Sequence, residues 1–242
     1  MTHATRVVSV LSGKGGVGKT FVSLHLAHGL AEGGRKTLLV DLDLHGGGVL
    51  ASALGVQPGR HLLHAHRFPP EKITVPVNRT LSLVGAPMDL RDALAAQHSD
   101  LSATLNAVFR GFDWAIVDLS HRLDLATISA LSLSHVIWVV TTADAFALRA
   151  TDIMLGRLCD LGLDIRRIRI ILNGGMRGRN PFAGLDTFVL PYDESVEGVT
   201  TWNGVYSQVC AQRLKWLALA EVDRKGAIRP ATNRRVQAAR GP

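Results

Sequence analysis

The sequence predicts a three-layer α/β fold, a mostly parallel sheet covered by helices on both faces, and three observations predict it. Short, β-branched apolar runs recur along the chain, helix-length segments alternate with them, and two of the runs end in an aspartate. Continuous apolar runs of roughly four to eight residues suit strands buried on both faces, and the intervening helices supply the crossovers that parallel strands need. Ligands of such a sheet belong at the carboxyl ends of its strands.

In chain order, Arg6–Leu11 is a β-branched run that stops at a glycine cluster, and Thr20–Glu32 has helical length, with Phe21, Leu24 and Leu30 among its apolar positions. A strand, a loop and a helix are expected there. Thr37–Asp41 forms a second buried strand ending in acid, and a long, poorly periodic stretch rich in Gly, His and Pro separates it from a strand at Leu81–Val84. A helix over Leu101–Phe109 precedes the strand Trp114–Asp118, again closed by a carboxylate. The alternation continues with a helix at Leu125–Leu133, a strand at Val136–Val140, a helix at Ala145–Leu161 and a strand at Ile168–Leu172. Gly174–Pro181 reads as a loop of turn formers and cations, followed by strand-like Phe188–Leu190 and a helix over Val205–Ala220.

Composition bounds the function classes. With 242 residues, 47% hydrophobic and 19% charged, disorder along the whole chain is excluded. One domain over residues 1–222 is expected. The net charge of +7 is concentrated in a basic, flexible tail, 223–242, where Arg224, Lys225, Arg229, Arg234, Arg235 and Arg240 face a single acid. Cys159 and Cys210 stand far apart, so neither a disulfide framework nor a CxxC metal site is built, and a reducing compartment is expected. No apolar run reaches the ~18 residues of a membrane span. Met1–Arg6 leads into a strand without the apolar region of a signal peptide, so the expectation is a cytoplasmic protein.

The residues that carry chemistry are Gly13-Lys14-Gly15-Gly16-Val17-Gly18-Lys19-Thr20, which fit the phosphate loop G-x-x-x-x-G-K-[ST]. Phosphate oxygens must lie against backbone N–H groups, and side chains beyond hydrogen hold them away. Lys19 then neutralises the β- and γ-phosphates, Thr20 offers its hydroxyl to Mg²⁺, and the positive end of the following helix adds its field. The same glycines satisfy G-x-G-x-x-G, with Asp41 where a dinucleotide fold places its ribose-binding acid. Lys-Thr directly after the third glycine has no use in that reading and is required in the phosphate loop. Strand alternation puts Asp41 and Asp43 on one side of a strand end, where one acid can hold Mg²⁺ through water while the other orients an attacking water.

Lys14, one residue after the first glycine, sets this loop apart from the general motif. The run from Lys14 to Thr20 resembles the deviant Walker A motif, KGGVGKT, of the MinD/ParA family of P-loop ATPases. The resemblance covers nearly all of residues 6–215 and implies a P-loop NTPase fold, ATP and Mg²⁺ as ligands, and a homodimer with ATP at its interface, into which Lys14 reaches across to the partner's phosphates. It assigns Asp41 to the Mg²⁺ sphere, Asp43 to water activation, and Asp118 to the Walker B position, which binds Mg²⁺ through a water. Lys14, Lys19 and Asp43 are the catalytic candidates, and the nucleotide is expected on Gly13 through Thr20 and Phe21. In relatives an asparagine at the place of Asn173 reads the adenine edge with the later Pro191-Tyr192-Asp193 segment near the base; turn formation by Asn173-Gly174 accounts for that residue equally well.

Within the family, Asp41–Leu44, Leu81–Pro87, Asp118-Leu119, Ala147–Arg149, Ile171–Asn173 and Leu190–Asp193 look most like the CpaE/TadZ branch, whose members organise pilus-assembly machinery at the cell pole. That branch commonly has a proline two residues after the Walker B acid, and here the position is Ser120. Iron–sulfur carriers of the family need cysteines that meet at the dimer axis, a pattern Cys159 and Cys210 do not make. MinD proteins end in a short amphipathic membrane helix, and Ala211–Ala220 has residues for such a helix; the last helix of the domain, packed on its sheet, is the preferred reading. ParA-type partition ATPases bind DNA through surface cations, for which the tail and the Arg177/Arg179 loop are suited; a merely solubilising tail is the alternative. The function expected is a slow, partner-stimulated ATPase switch that positions pilus or secretion components, recruited to the membrane or cell pole. The alternatives are a partition or positioning ATPase acting on DNA or membrane, and an ATP-dependent dimeric scaffold with negligible hydrolysis.

Overall fold

The computed structural model describes residues 4–44, 48–175, 182, 184–194 and 207–224, the last four of these for their backbone alone. Its centre is an eight-stranded sheet. The strands are β1 (Arg6–Ser12), β2 (Thr37–Leu42), β3 (Val75–Pro76), β4 (Leu81–Val84), β5 (Trp114–Leu119), β6 (Val136–Thr141), β7 (Ile168–Leu172) and β8 (Thr187–Val189), in the order β3-β4-β2-β5-β1-β6-β7-β8. Every pairing is parallel except β3 with β4. Pro76 lacks an N–H for a sheet ladder and sits on this edge strand, where that costs least.

The central strands β2, β5 and β6 are buried at every position, as expected of strands covered on both sides. One face packs against α1 (Lys19–Glu32), α2 (Val49–Ala53) and α8 (Gln208–Arg224), through Val22, Leu26, Leu30, Leu50, Leu214 and Leu217. The other packs against α5 (Ser102–Phe109), α6 (Leu125–Leu133) and α7 (Ala145–Asp160), through Leu105, Val108, Ala130, Met154 and Leu158. Because β1 lies between β5 and β6 while the chain leaves it for β2, a crevice opens at the carboxyl end of β1.

The expected elements are present with small shifts of boundary. Strands at 81–84 and 168–172 and the helix at 125–133 have the expected limits, whereas β8 starts and ends one residue before 188–190. The stretch between β2 and β4 is more ordered than its irregular pattern suggests: it holds α2, a 3-10 turn at Leu62–His66, α3 (Pro70–Ile73) and β3. A further helix, α4 (Leu90–Gln97), was not expected; Asp89 caps it by accepting from the N–H groups of Arg91 and Asp92, and it buries only Ala93 and Ala96. α8 begins at Gln208 and continues to Arg224, past the expected boundary at 222. Val205, residues 176–181 of the cationic loop, and tail residues 225–242 lie outside the described residues.

Helix α8 packs against α1. Cys210, Ala211, Leu214 and Ala218 are buried there, leaving Trp216 65% exposed. The segment that carried both a membrane and a packing reading therefore packs, and among the described residues no helix is long and apolar enough to cross a membrane.

Candidate functional site

β1 ends at Ser12, and the chain turns through Gly13–Gly18 into α1. Two of the glycines are required by the fold as well as by any phosphate. A Cβ on Gly13 would run into the Ala150 carbonyl of α7, so this glycine lets the loop lie against that helix. Gly18, the residue before α1, has φ +92°, in the left-handed region, and a Cβ there would meet the Asn173 side chain. The remaining loop opens on a cavity of about 480 Å³ lined by Gly15, Gly16, Gly18, Lys19, Thr20, Phe21, Asp43 and His121.

Of the expected site residues, this cavity gathers Gly15, Gly16, Gly18, Lys19, Thr20, Phe21 and Asp43. Gly13 faces α7, and Val17 is buried in the core below the loop. Lys14 turns sideways: its Nζ lies 3.8 Å from Oδ1 of Asp144, the residue that caps α7 by accepting from the N–H of Ala147. Asn173 follows β7 and donates through Nδ2 to the Val17 carbonyl at 3.1 Å, which holds the loop and leaves the amide oxygen as an acceptor. Pro191 follows Leu190, whose N–H and C=O pair with Leu172 and Gly175 beside Asn173.

Asp41 and Asp118 stand side by side at the ends of β2 and β5 and are almost wholly buried, 2% and 1% exposed. Asp118 accepts from the Thr20 hydroxyl at 2.8 Å and from that of Ser23 at 2.9 Å, two residues one turn apart on α1. Asp41 accepts from the N–H of Asp43 at 3.2 Å. Burial, reinforced by the neighbouring Asp118 charge, pushes the Asp41 carboxyl up to about 8. Burial likewise raises Asp118, to about 6, against the opposing effect of the Thr20 and Ser23 hydroxyls and the Lys19 ammonium. Two carboxylates, two hydroxyls and a lysine meet at the ends of β2 and β5, and the oxygens among them form a donor set that suits a hard divalent cation such as Mg²⁺.

Sequence reasoning overlooked three participants. Ser23 could have been found from helical spacing, since it shares a face with Thr20. His121 and Asp144 gave no periodic signal, because both lie just past strand ends where tertiary arrangement decides which way they point. A second polar cluster, His61, His64 and Asp92, is drawn together by internal hydrogen bonds: His61 Nε2 meets Asp92 Oδ2 at 3.1 Å, and His64 Nδ1 accepts from the His61 N–H at 3.2 Å.

A glycine loop between a buried parallel strand and a helix, with a lysine and a hydroxyl leading to a strand-end acid, defines the class of P-loop nucleotide-binding proteins. Residues 5–161 match the AAA_31 family, described as an AAA domain. Chromosome-partitioning ATPase Soj of Thermus thermophilus is 30% identical over 181 residues, covering 69% of this chain and 67% of Soj. Antiactivator FleN of Pseudomonas aeruginosa is 28% identical over 223 residues, covering 80% of this chain and 76% of FleN. Among solved structures, the septum site-determining protein MinD of Pyrococcus horikoshii complexed with Mg-ADP superimposes with a TM-score of 0.72 at 28% identity, covering 91% of this chain and 96% of MinD. The chain belongs to the MinD/ParA family of P-loop ATPases.

Proposed function

We propose that this chain is a Mg²⁺-dependent ATP-binding and hydrolysing switch that dimerises around ATP and positions a larger cellular assembly, in the manner of a ParA/MinD positioning ATPase. The observation that carries the reading is the hydrogen bond from Thr20 to Asp118, which joins the glycine loop to the buried acid pair. The backbone N–H groups of Gly15 to Lys19 cradle the phosphates, and Lys19 with the N-terminus of α1 neutralises them. Thr20, Asp41 and Asp118 would hold Mg²⁺, directly or through water; when bound, the ion supplies charge neutralisation at the β- and γ-phosphate oxygens.

Asp43 orients the attacking water from the cavity wall. Lys14 leaves Asp144 and crosses to the partner's nucleotide as two chains close, so hydrolysis rests on charge stabilisation more than on proton transfer. The amide oxygen of Asn173 accepts from the exocyclic amine of adenine, and Pro191 lies near the base. Turnover is slow because closure completes the site, and a partner stimulates it.

The partition, antiactivator and septum-site names of the relatives support a positioning role on DNA or membrane more than a pilus-specific one. The CpaE/TadZ assignment, with pilus or secretion components as partners, is the finer reading carried by the segment resemblance. Residues 1–222 are the ATPase domain in this reading, and the tail beyond contacts DNA or anionic membrane. The test is phosphate release together with molecular size in ATP and in ADP. A switch releases phosphate, dimerises in ATP and is monomeric in ADP, and Asp43→Ala dimerises without release; a dimer in both nucleotides with no release is instead a scaffold. Removing residues 225–242, which leaves α8 whole, should weaken DNA or anionic-vesicle binding at low salt if the tail acts.

A further inference from the structure

Beyond the glycine loop and the first turn of α1, the cavity is lined by two side chains from other strand ends, Asp43 after β2 and His121 after β5. Strand register explains why they meet. Asp118 on β5 is level with Asp41 on β2 and with Val10 on β1, so Asp43, His121 and Gly13 all emerge two or three residues beyond one row of strand ends. The turn that carries His121 is held from beneath: Ser120 is buried, its Oγ accepts from the Arg122 N–H at 3.1 Å, and its hydroxyl points back at the Arg122 carbonyl at 3.4 Å. Ser120 thus closes a short turn with exposed His121 at its tip.

A terminal phosphoryl group leaving the glycine loop would extend toward this wall. Phosphate oxygens need donors there, and the Asp43 carboxylate has none to give. An imidazole keeps at least one N–H whether neutral or charged. We propose that His121 donates a hydrogen bond to the terminal phosphoryl oxygen and is a specificity-determining residue that separates nucleoside triphosphate from diphosphate. The inference rests on the nucleotide reading above and adds the side chain that reads the γ-phosphate. Ser120 is its positioning residue.

The test is calorimetric titration of the full chain with Mg–AMPPNP and with Mg–ADP. His121→Ala should weaken AMPPNP about tenfold or more, the size of a hydrogen bond to a charged group, with ADP affinity changed less than twofold. His121→Gln, which keeps an N–H donor, should recover part of the loss, and Ser120→Ala should lower the AMPPNP/ADP preference by a smaller factor. Equal losses for both nucleotides, or an unchanged AMPPNP affinity in His121→Ala, would overturn the assignment. A wild-type chain that binds neither nucleotide would overturn the nucleotide reading itself, and this inference with it; wild-type binding with an unmoved preference overturns the role of His121 alone.

Discussion

Two polar regions of the same helix, α1, are built in opposite ways. At its N-terminus, Lys19, Thr20 and Ser23 face Asp118, with Asp41 alongside, and burial raises both carboxyls far above their ordinary range. One turn further on, His25 is also buried, but it is fully answered within the chain: Nδ1 donates to the Phe21 carbonyl at 2.7 Å, and Nε2 accepts from the Ser207 N–H at 3.0 Å just before α8. A single neutral tautomer satisfies both bonds, and burial accordingly holds this histidine down to about 4. The histidine region completes itself within the chain; the acid region holds two buried carboxyls side by side, both raised by burial. Local conflict of that kind is what a binding site looks like beside a merely structural polar contact.

The largest effect expected separates the two regions by breaking the structural one. Leu214→Ala removes a fully buried side chain from the α1–α8 seam and should cost about 2–5 kcal/mol in urea unfolding, while Mg–ADP affinity stays within twofold. Lys19→Ala breaks the other region: ATP affinity should fall about 100-fold, the scale of lost charge-assisted phosphate contacts, with near-native circular dichroism. If both variants lose stability and affinity together, the two regions are not separable.

A pH series sharpens the contrast. His25 has its folded pKa depressed, so the unfolded chain takes up the proton first. Its contribution is complete above about 6.5 and is lost as pH falls toward about 4; His135, lowered to about 4 by burial, acts in the same direction. Asp41 and Asp118, raised to about 8 and about 6, pull the other way there because the folded chain takes up their protons first, so the histidine effect is read in the melting-temperature difference between wild type and His25→Gln, which should move against the wild type as pH falls from about 6.5 toward about 4. Ser23→Ala gives the smallest effect, about 1 kcal/mol of stability, by removing one of two hydroxyl donors to Asp118.

Much of this arrangement is legible in the sequence, for identifiable reasons. β2, β5 and β6 are buried along their whole length, so their apolar runs stand out. The phosphate loop is legible because its chemistry demands consecutive residue types. α4 escaped because it is half exposed and buries only two alanines, although Asp89 with Asp92 in the first turn was a capping signal within reach. The glycines were expected for phosphate access alone, whereas Gly13 and Gly18 are also pressed by Ala150 and Asn173, contacts from over a hundred residues away. The motif points Lys14 toward a partner chain or, failing that, solvent, and no local pattern reveals that Asp144 lies beside it. His121 stayed hidden for the same reason: its place follows from the register of β5 with β1 and β2.

The central claim is that the strand-end acids and the glycine loop form one cation-dependent nucleotide site. Calorimetric titration of the intact chain with ATP analogue in Mg²⁺, repeated in EDTA, tests it most directly. The account expects one saturable site per chain in Mg²⁺, weakened at least about tenfold by EDTA and again by Asp118→Asn. Binding of equal strength with and without the metal, or no saturable binding in either buffer, would contradict it.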